Sequence, residues 1–176
     1  MSNEKAQPIG RYKASECRRG REWVFRVTTG DDVYLAVMQF IKDNNVRFAK
    51  IHALVMGGLE PTNYMVWAFD PRDPANWHYE AMAAHKNLTM LLAMGGIIHQ
   101  RQLPDGSWES FPAIHFVAGG SWDGPVFGGH LKEGTIAKGN VTFFITEILG
   151  LESIPASEQE LPALAYTWYV PENRKQ

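Results

Sequence analysis

The sequence predicts an α+β domain in which one main helix packs on a curved, mostly antiparallel β-sheet. Three observations lead to this prediction. A single segment carries apolar residues at helical spacing, most other apolar segments are short and rich in β-branched or aromatic residues, and glycine, proline or asparagine signals separate them. The 176 residues, 45% of them hydrophobic, are enough for one compact domain. We expect a basic, flexible lead-in at residues 1–20, the domain at residues 21–170 and a short tail at residues 171–176.

A change in hydrophobic period predicts the first strand and the helix. The segment 22–28, "EWVFRVT", is rich in β-branched and aromatic residues, which is typical of a strand. The following segment, "TGDDVYLAVMQFIKDNNV", repeats its apolar residues every three or four positions, as an amphipathic helix does. Asp31 or Asp32 can cap the N-terminus of this helix, and Asn44 and Asn45 favour its end.

The rest of the chain is predicted to be mainly β-strand. Strands are expected in "VRFAKIHALVMGG", "TNYMVWAFD", "LTMLLAMGGIIHQRQ", "WESFPAIHFVAG", "NVTFFITEIL" and "ALAYTWYV". Asp105-Gly106, in "LPDGS", is a strong signal for a hairpin between the third and fourth of these segments. In "PRDPANWHYEAMAAHKN" we expect a helical turn around residues 79–85, which would let His78 and His85 reach over a pocket as part of a lid.

Composition and charge exclude several classes of function. A net charge of −2 and a pI near 6.3 give no reason to expect strong binding of a polyanion. The single cysteine, Cys17, cannot form an intramolecular disulfide or a thiolate metal cluster, and its polar neighbours favour an inert thiol over a nucleophile. A secretory signal, a membrane span, a glycine-rich phosphate loop and a G-x-S-x-G elbow are absent from the sequence. We therefore expect a cytoplasmic protein without a membrane partner.

Two histidines in "AIHFVAGGSWDGPVFGGHL" are the candidate catalytic residues. His130 follows Gly128 and Gly129, where the missing Cβ atoms let the backbone approach a ligand or another subunit closely. An imidazole with a pKa of about 6.5 suits general acid–base chemistry, such as enolisation or decarboxylation of a small carbonyl compound. The alternative is structural, with His115 as a half-buried strand residue that has a hydrogen-bond partner and His130 as a donor to a turn carbonyl.

Two tryptophans and two further histidines are the candidate substrate-binding residues. Trp122 lies in the "GGSWDG" turn beside the histidine pair, and Trp67 lies in "TNYMVWAFD". Indole rings in such places can wall an apolar pocket or stack on a ligand, although packing in the core or at a subunit interface explains them as well. His52 and His99 are strand histidines that could reach the same site.

The order of these features resembles the plants and prokaryotes conserved (PPC) domain in its stand-alone prokaryotic form. The resemblance rests on "RRGRE", "TGDD", "AKIHALVMGG", "LAMGGII", the "DG" hairpin and above all "DGPVFGGHLKEGTI", and it covers roughly residues 18–150. It implies a sheet-plus-helix protomer that assembles into a homotrimer. It also implies a fold similar to that of acetolactate decarboxylase, a zinc enzyme whose metal is held by an H-x-H pair on a strand and a later histidine.

Zinc is the cofactor that the resemblance implies. Two histidines two positions apart on a strand point to the same side, so an H-x-H pair and a third histidine can form an open three-ligand site. Prokaryotic members often carry H-x-H before "GGHL", but the residues two positions from His115 are alanine and valine here. His115 and His130 would need His52 or His99 as the third metal ligand.

Plant members carry AT-hooks and act as nuclear DNA-binding proteins, so the resemblance implies DNA association as another function. An AT-hook inserts an Arg-Gly-Arg-Pro core into the A·T minor groove. Here Glu22 follows Arg19-Gly20-Arg21, so the proline is absent and a carboxylate would face the phosphates.

These observations together predict a homotrimeric PPC-type protein with a histidine-containing small-molecule pocket at or near a subunit interface. We expect it to act as a lyase, isomerase or hydrolase on a small carbonyl or aromatic compound, with or without zinc. The alternative is a DNA-associated regulatory or scaffold protein that acts through its trimer surface.

Overall fold

The computed structural model describes residues 15–54, 57–69, 77–120, 124–154 and 168–171. Within these ranges lie one helix and twelve strands: β1 (Arg18–Val27), α1 (Val33–Asn44), β2 (Ala49–Leu54), β3 (Gly58–Leu59), β4 (Thr62–Phe69), β5 (Trp77–His85), β6 (Thr89–Gln102), β7 (Trp108–Gly120), β8 (Val126–Leu131), β9 (Ala137–Lys138), β10 (Val141–Leu149), β11 (Leu151–Ile154) and β12 (Trp168–Pro171).

The helix begins and ends at the predicted capping residues. The side chain of Asp32 accepts a hydrogen bond from the backbone N–H of Leu35 at 3.0 Å, which satisfies a donor that the first helical turn leaves unpaired. Asn45 ends the helix in the left-handed conformation, with a φ of 49°. The predicted helix is confirmed, and Asp32 is its cap. The apolar side of the helix is formed by Val33, Val37, Phe40 and Ile41, which are buried.

The strands of the main sheet pair in antiparallel fashion. Eight of them lie in the order β1-β10-β2-β6-β7-β8-β4-β5, and the two-residue strands β3 and β9 attach beside β6. This path does not close on itself within the described residues, and β11 and β12 pair in a separate two-stranded sheet. The predicted combination of a mostly antiparallel sheet with one helix is confirmed.

The helix covers one face of the sheet and leaves the other open. Phe40 of the helix contacts Phe25 on β1 at 5.0 Å between ring centroids, and the strand partner of Phe25 is the fully buried Phe143. The next residue on β10, Phe144, is 44% exposed. Because successive strand residues point to opposite faces, this alternation separates a helix-covered face from an open face. The open face also carries the exposed apolar side chains Val24, Ile97 and Val117.

The turn at Asp105-Gly106 joins β6 to β7 as predicted. Gly106 has a φ of 85°, in the left-handed region that glycine adopts without strain, and the carboxylate of Asp105 accepts a hydrogen bond from the backbone N–H of Ser107 at 2.9 Å. Turn geometry sets the register of a hairpin. In this register Gly95 lies opposite His115.

The helical turn expected around residues 79–85 is wrong, because residues 77–85 form the edge strand β5. This segment pairs with β4 over its whole length, from the pair Thr62–His85 to the pair Phe69–Trp77. A short isolated helix is marginal in water, whereas pairing along β4 gives the backbone N–H and C=O groups their partners. The hydrogen bonds between β4 and β5 therefore outweigh the local preference of this segment for a helical turn.

The first strand begins earlier than predicted. β1 begins at Arg18, inside the segment assigned to the lead-in, because Arg18 and Arg19 pair with residues at the end of β10. Cys17 lies directly before this strand and is exposed. The strands β8, β9 and β11 have no counterpart among the predicted strands.

Two adjacent glycines on β6 have different surroundings. A Cβ atom at Gly96 would lie 2.0 Å from the carbonyl oxygen of Ala113 on β7, which no real structure tolerates. A Cβ atom at Gly95 would have one neighbour within 4 Å, the carbonyl oxygen of Ile51 at 3.3 Å. Glycine is therefore required at position 96 by the close approach of two backbones, whereas Gly95 leaves a gap among the side chains of the open face.

We predict that Gly96→Ala lowers the free energy of unfolding by about 1–3 kcal/mol, because the added methyl group forces β6 and β7 apart. Gly95→Ala is the matched control and should cost less than about 1 kcal/mol. Urea unfolding of both variants, followed by circular dichroism, measures the difference. Equal losses in the two variants would contradict the assignment of the close contact to Gly96.

Candidate functional site

One residue from each strand of the eight-strand path forms a row across the open face. Each member lies directly opposite the next in the strand register, and residues that lie opposite each other share a face. The row runs from β1 to β5 through Val24, Phe144, His52, Gly95, His115, His130, Met65 and Met82. Three of the six histidines of the chain are thus in one row, and the gap at Gly95 separates His52 from the other two.

The register of β7 and β8 places His115 directly opposite His130. The two rings are 5.1 Å apart between centroids and meet edge to face, at an angle of 83°. His115 is exposed, and His130 is half-buried. The two predicted catalytic histidines therefore form a pair that solvent or a ligand can reach from the open face.

The two glycines before His130 allow β8 to fit between its neighbours. A Cβ atom at Gly128 would lie 2.3 Å from the carbonyl oxygen of Phe116 on β7, and one at Gly129 would lie 2.8 Å from the carbonyl oxygen of Met65 on β4. The close approach expected at this place is therefore made to strands of the same chain. It holds His130 against His115.

The surroundings of His130 keep its imidazole neutral. Loss of hydration lowers its pKa from 6.5 to about 4, and the positive charges of Lys132, His115 and His99 act in the same direction. At neutral pH the ring therefore has an unprotonated nitrogen that can accept a proton. An unprotonated imidazole can act as a general base, with a basicity below that of an ordinary histidine because its pKa is lowered.

His99 lies on the same face but is almost fully buried, with 4% of its surface exposed. Its ring packs on Phe111, its partner on β7, at 4.1 Å between centroids. Burial and the charge of Arg101 lower its pKa to about 4. Its Nε2 atom has no hydrogen-bond partner among the described residues. Buried polar atoms usually have a hydrogen-bond partner in native proteins.

Two cations that the sequence analysis did not identify lie near these histidines. Arg101 pairs with Glu109 across the hairpin at 2.6 Å, and its guanidinium stacks over the ring of Phe111. Lys132 has a lowered pKa through partial burial and the nearby Arg101, and no ion pair of Lys132 occurs in the described part of the chain. A usable signal exists in the sequence for Arg101, which follows the candidate His99 by two positions on β6, the spacing of residues on one strand face. Lys132 lies directly after the end of β8.

The structure describes only some of the other residues that were predicted to bind substrate. His52 is exposed and lies in the row, on the far side of Gly95 from His115. Trp67 belongs to β4, but its side chain lies outside the described residues, as does the whole of Trp122. His85 stacks on Phe127 at 5.0 Å, away from the histidine pair.

The predicted zinc site was tested against these positions. No group of three histidine, cysteine, aspartate or glutamate side chains that could hold a metal occurs among the described residues. His115 and His130 are together, but His52 is separated from them by the width of a strand, and His99 lies four residues along β6 from the row. The described residues of one chain therefore do not form a three-ligand zinc site.

Comparison with known protein families identifies the family to which the chain belongs. Residues 14–149 match the sequence model of the Plants and Prokaryotes Conserved (PCC) domain, the family abbreviated PPC above. The chain belongs to this family. The resemblance found in the sequence is thereby confirmed, whereas the similarity in fold to acetolactate decarboxylase stays a prediction.

Solved structures show the PPC fold directly. A PPC protein of Pyrococcus horikoshii is 22% identical, with a TM-score of 0.68 and coverage of 89% of this chain and 97% of that one. A metal-containing protein of Archaeoglobus fulgidus is 20% identical, with a TM-score of 0.67 and coverage of 89% and 99%. A protein of Bacteroides thetaiotaomicron, named as a candidate DNA-binding protein, is 15% identical, with a TM-score of 0.58 and coverage of 87% and 96%. At these identities the similarity establishes the fold alone.

No curated protein matched the sequence. Among the described residues, α1 is too short to cross a membrane.

We predict that the PPC domain loses stability as the pH falls from about 6.5 to 4. In the fold His99 has a pKa of about 4, whereas in the unfolded chain it takes up a proton near its ordinary value of about 6.5. Between these values the unfolded state binds more protons, so the free energy of unfolding decreases with falling pH, by up to about 3 kcal/mol for this residue.

Urea unfolding at several pH values measures this loss. The matched variant is His99→Phe, which keeps a ring on Phe111 and removes the titrating group, so its loss over the same range should be clearly smaller. Protonation of the carboxylates changes the free energy of unfolding by the same amount in the parent and in the variant. Their effect therefore cancels when the two pH profiles are compared. Parallel pH profiles for the parent and the variant would show that burial does not hold His99 neutral.

Proposed function

We propose that this PPC-domain protein is a histidine-dependent lyase or isomerase that binds a small carbonyl compound on the open face of its sheet. His130 is the general base, and His115 is its partner. The observation that carries the proposal is the edge-to-face pair of these rings at 5.1 Å, in which the half-buried His130 is neutral at physiological pH.

The proposed step is abstraction of a proton from the carbon next to the carbonyl group. The carbon–hydrogen bond breaks, an unprotonated nitrogen of His130 forms a bond to the proton, and the electron pair moves onto the carbonyl oxygen to give an enolate. His115 can donate a hydrogen bond to that oxygen, because it lies beside His130 and is exposed. Return of the proton to the opposite face of the same carbon completes an epimerisation, and its replacement by a solvent proton completes an exchange.

The pocket is proposed to close only in an assembly of identical subunits. Val24, Ile97, Val117 and Phe144 expose between 41% and 70% of their surface on the open face, and an exposed apolar patch of this kind is typical of a face that another subunit covers. We propose the homotrimer implied by the family resemblance, with the histidine pair at or near the subunit boundary and Trp67 and Trp122 among its walls. Sedimentation equilibrium gives the mass of the assembly directly.

We predict that the protein exchanges the α-protons of a small ketone or 2-oxo acid with solvent. A panel that includes acetone, methyl pyruvate and pyruvate is incubated in D₂O, and loss of the methyl signal is followed by proton NMR. His130→Ala should lower the rate by about 100-fold or more, the usual contribution of a general base. His85→Phe is the control, because His85 stacks on Phe127, away from the pair, and a phenyl ring can keep that contact.

The rate should be constant above about pH 5 and fall as the pH drops through about 4, because only the unprotonated imidazole accepts a proton. Activity that is absent for every compound, or unchanged in His130→Ala, would overturn the proposed function.

DNA association is the second candidate, because the names of two structurally similar proteins, from Bacteroides thetaiotaomicron and Ralstonia eutropha, mention DNA binding. The basic segment of this chain gives it little support. Arg19 pairs with Glu22, and Arg21 makes a two-pronged pair with Glu147, so two of its arginines are already neutralised. Phosphate contacts require cations that are free to replace counterions.

We predict that the chain shows no salt-sensitive retention on duplex DNA. Fluorescence anisotropy of a labelled duplex, at low and at physiological salt, measures this, with a variant that lacks residues 1–17 as the comparison. Tight binding that weakens with salt and is lost in the shortened variant would favour the DNA-associated function over the enzyme.

A further inference from the structure

A small cavity lies at the end of β10, next to the C-terminus of the helix. Glu147 is buried on the helix-covered face of the sheet, whereas Leu149, the next residue of β10 on that face, is 40% exposed. The guanidinium of Arg21 bonds both Glu147 and the carbonyl oxygen of Asn44, the last residue of the helix. The helix therefore ends level with Glu147. Beyond this level the sheet borders a cavity of about 160 Å³.

Two arginines line this cavity from opposite sides of Leu149. Arg18, the first residue of β1, lies directly opposite Leu149 in the strand register. On the other side, the backbone N–H of Ile148 donates a hydrogen bond to the carbonyl oxygen of Phe48 at 2.9 Å, which brings the preceding residue, Arg47, beside Leu149. Neighbouring strands are about 4.8 Å apart, so the two arginine backbones are separated by about 10 Å. Their long side chains can therefore contact one small ligand between them.

Arg18 is available to a ligand. Its side chain is exposed and forms no hydrogen bond or ion pair within the described ranges. The Nε atom of Arg18 borders the open space at Gly150, because a Cβ atom added there would lie 3.9 Å from it and, apart from the chain neighbours of Gly150, would have no other atom within 4 Å. Gly150 has a φ of 83°, which glycine adopts without strain.

The described lining of the cavity carries an excess of positive charge. It contains the guanidinium groups of Arg18 and Arg47 and a single carboxylate, that of Glu147. This carboxylate is already engaged by Arg21, whose guanidinium donates to its two oxygens at 2.7 and 2.8 Å and whose backbone N–H donates at 3.2 Å. Glu147 is therefore balanced by an arginine that does not line the cavity, and the charges of the two lining arginines favour an anion.

The size of the cavity and the placement of its donors favour a phosphate group. Sites for drug-sized ligands have volumes of about 300–1,000 Å³, so a cavity of about 160 Å³ accepts only a small group. The planar guanidinium group matches phosphate oxygens and forms paired, charge-assisted hydrogen bonds with them. A phosphate group presents oxygens in all directions and can accept donors from two sides, whereas a carboxylate presents both of its oxygens on one side.

We propose that Arg18 and Arg47 bind a phosphate group in this cavity, as the free ion or as part of a small phosphomonoester. The two guanidinium groups donate to it from opposite sides of Leu149. The cavity lies at the end of the helix-covered face, whereas His115 and His130 lie on the open face. The inference therefore goes beyond the proposed function and does not depend on it.

The test compares inorganic phosphate, glycerol 3-phosphate and acetate as ligands of the full chain. Isothermal titration calorimetry at pH 7, in a buffer without phosphate, gives the affinities. We expect at least one of the two phosphate compounds to bind at least about tenfold more tightly than acetate, because only a phosphate group satisfies donors on both sides. Glycerol 3-phosphate that binds as tightly as inorganic phosphate, or more tightly, identifies a phosphomonoester as the ligand. Clearly tighter binding of inorganic phosphate identifies the free ion.

Arg18→Gln should weaken the preferred phosphate compound by about tenfold or more, since it removes one charged donor. Arg18→Lys keeps the charge without the planar donor group and should weaken it less. Arg47→Gln removes the donor on the other side and should weaken it as well. Circular dichroism and urea unfolding establish that each variant is folded.

The matched control is Arg26→Gln. Arg26 is another exposed arginine of β1, but it lies outside the described lining of the cavity, and its Nε donates to Thr142 at 3.4 Å. This variant loses the same charge as Arg18→Gln and should bind phosphate as the parent chain does. Equal affinities for phosphate and acetate would overturn the inference. Unchanged phosphate binding in Arg18→Gln, or an equal loss in Arg26→Gln, would do so too.

Binding of duplex DNA is the remaining alternative for these arginines. If neither phosphate compound binds while Arg18→Gln lowers the affinity for a labelled duplex, the arginines contact a nucleic-acid backbone and the inference is wrong. Failure of the His130-dependent proton exchange leaves the phosphate site standing, because the titrations do not involve the histidine pair.

Discussion

The register of β7 against β8 is the constraint on which the candidate site depends. It sets His115 opposite His130, and every contact of the pair follows from that alignment. Because side chains alternate between faces, a slip of one residue would turn His130 toward the helix-covered face and separate the rings. The register is held by backbones that approach more closely at Gly128 and Gly129 than any side chain permits.

The helix decides which face of the sheet is free for chemistry. Its apolar side packs on the face that carries Phe25 and Phe143, and this packing forms the core. The opposite face is not needed for that core and can carry the histidine row and the cations. Phe143 is buried on the helix-covered face, whereas the next residue, Phe144, is exposed on the open face. One face of the sheet therefore contributes to the core, and the other carries the histidine row.

Loss of hydration links the packing of the open face to its chemistry. His99 and His130 are neutral at physiological pH because partial or full burial disfavours their protonated forms, and neighbouring cations add to this effect. Among the described residues, Arg19, Arg21 and Arg101 are each paired with a glutamate. Binding of the extended phosphate backbone of DNA needs several free cations, so these three arginines contribute little to it.

The sequence by itself determined the elements with strong local signals. The helix, with Asp31 or Asp32 as its cap, the Asp105-Gly106 hairpin and most strands follow from residue spacing and turn chemistry, the family follows from the resemblance of its motifs, and His115 and His130 were chosen within one of those motifs. Residues 77–85 were not predictable in this way, because their local pattern favours a helical turn and only the partner strand β4 makes them a strand. The tertiary structure alone decided which distant residues share the open face, since strand order is set by the whole sheet. It therefore brought His130 to His115 and Arg101 to Glu109, left the Nε2 atom of His99 buried with no hydrogen-bond partner among the described residues, and separated His52 from the pair by one glycine.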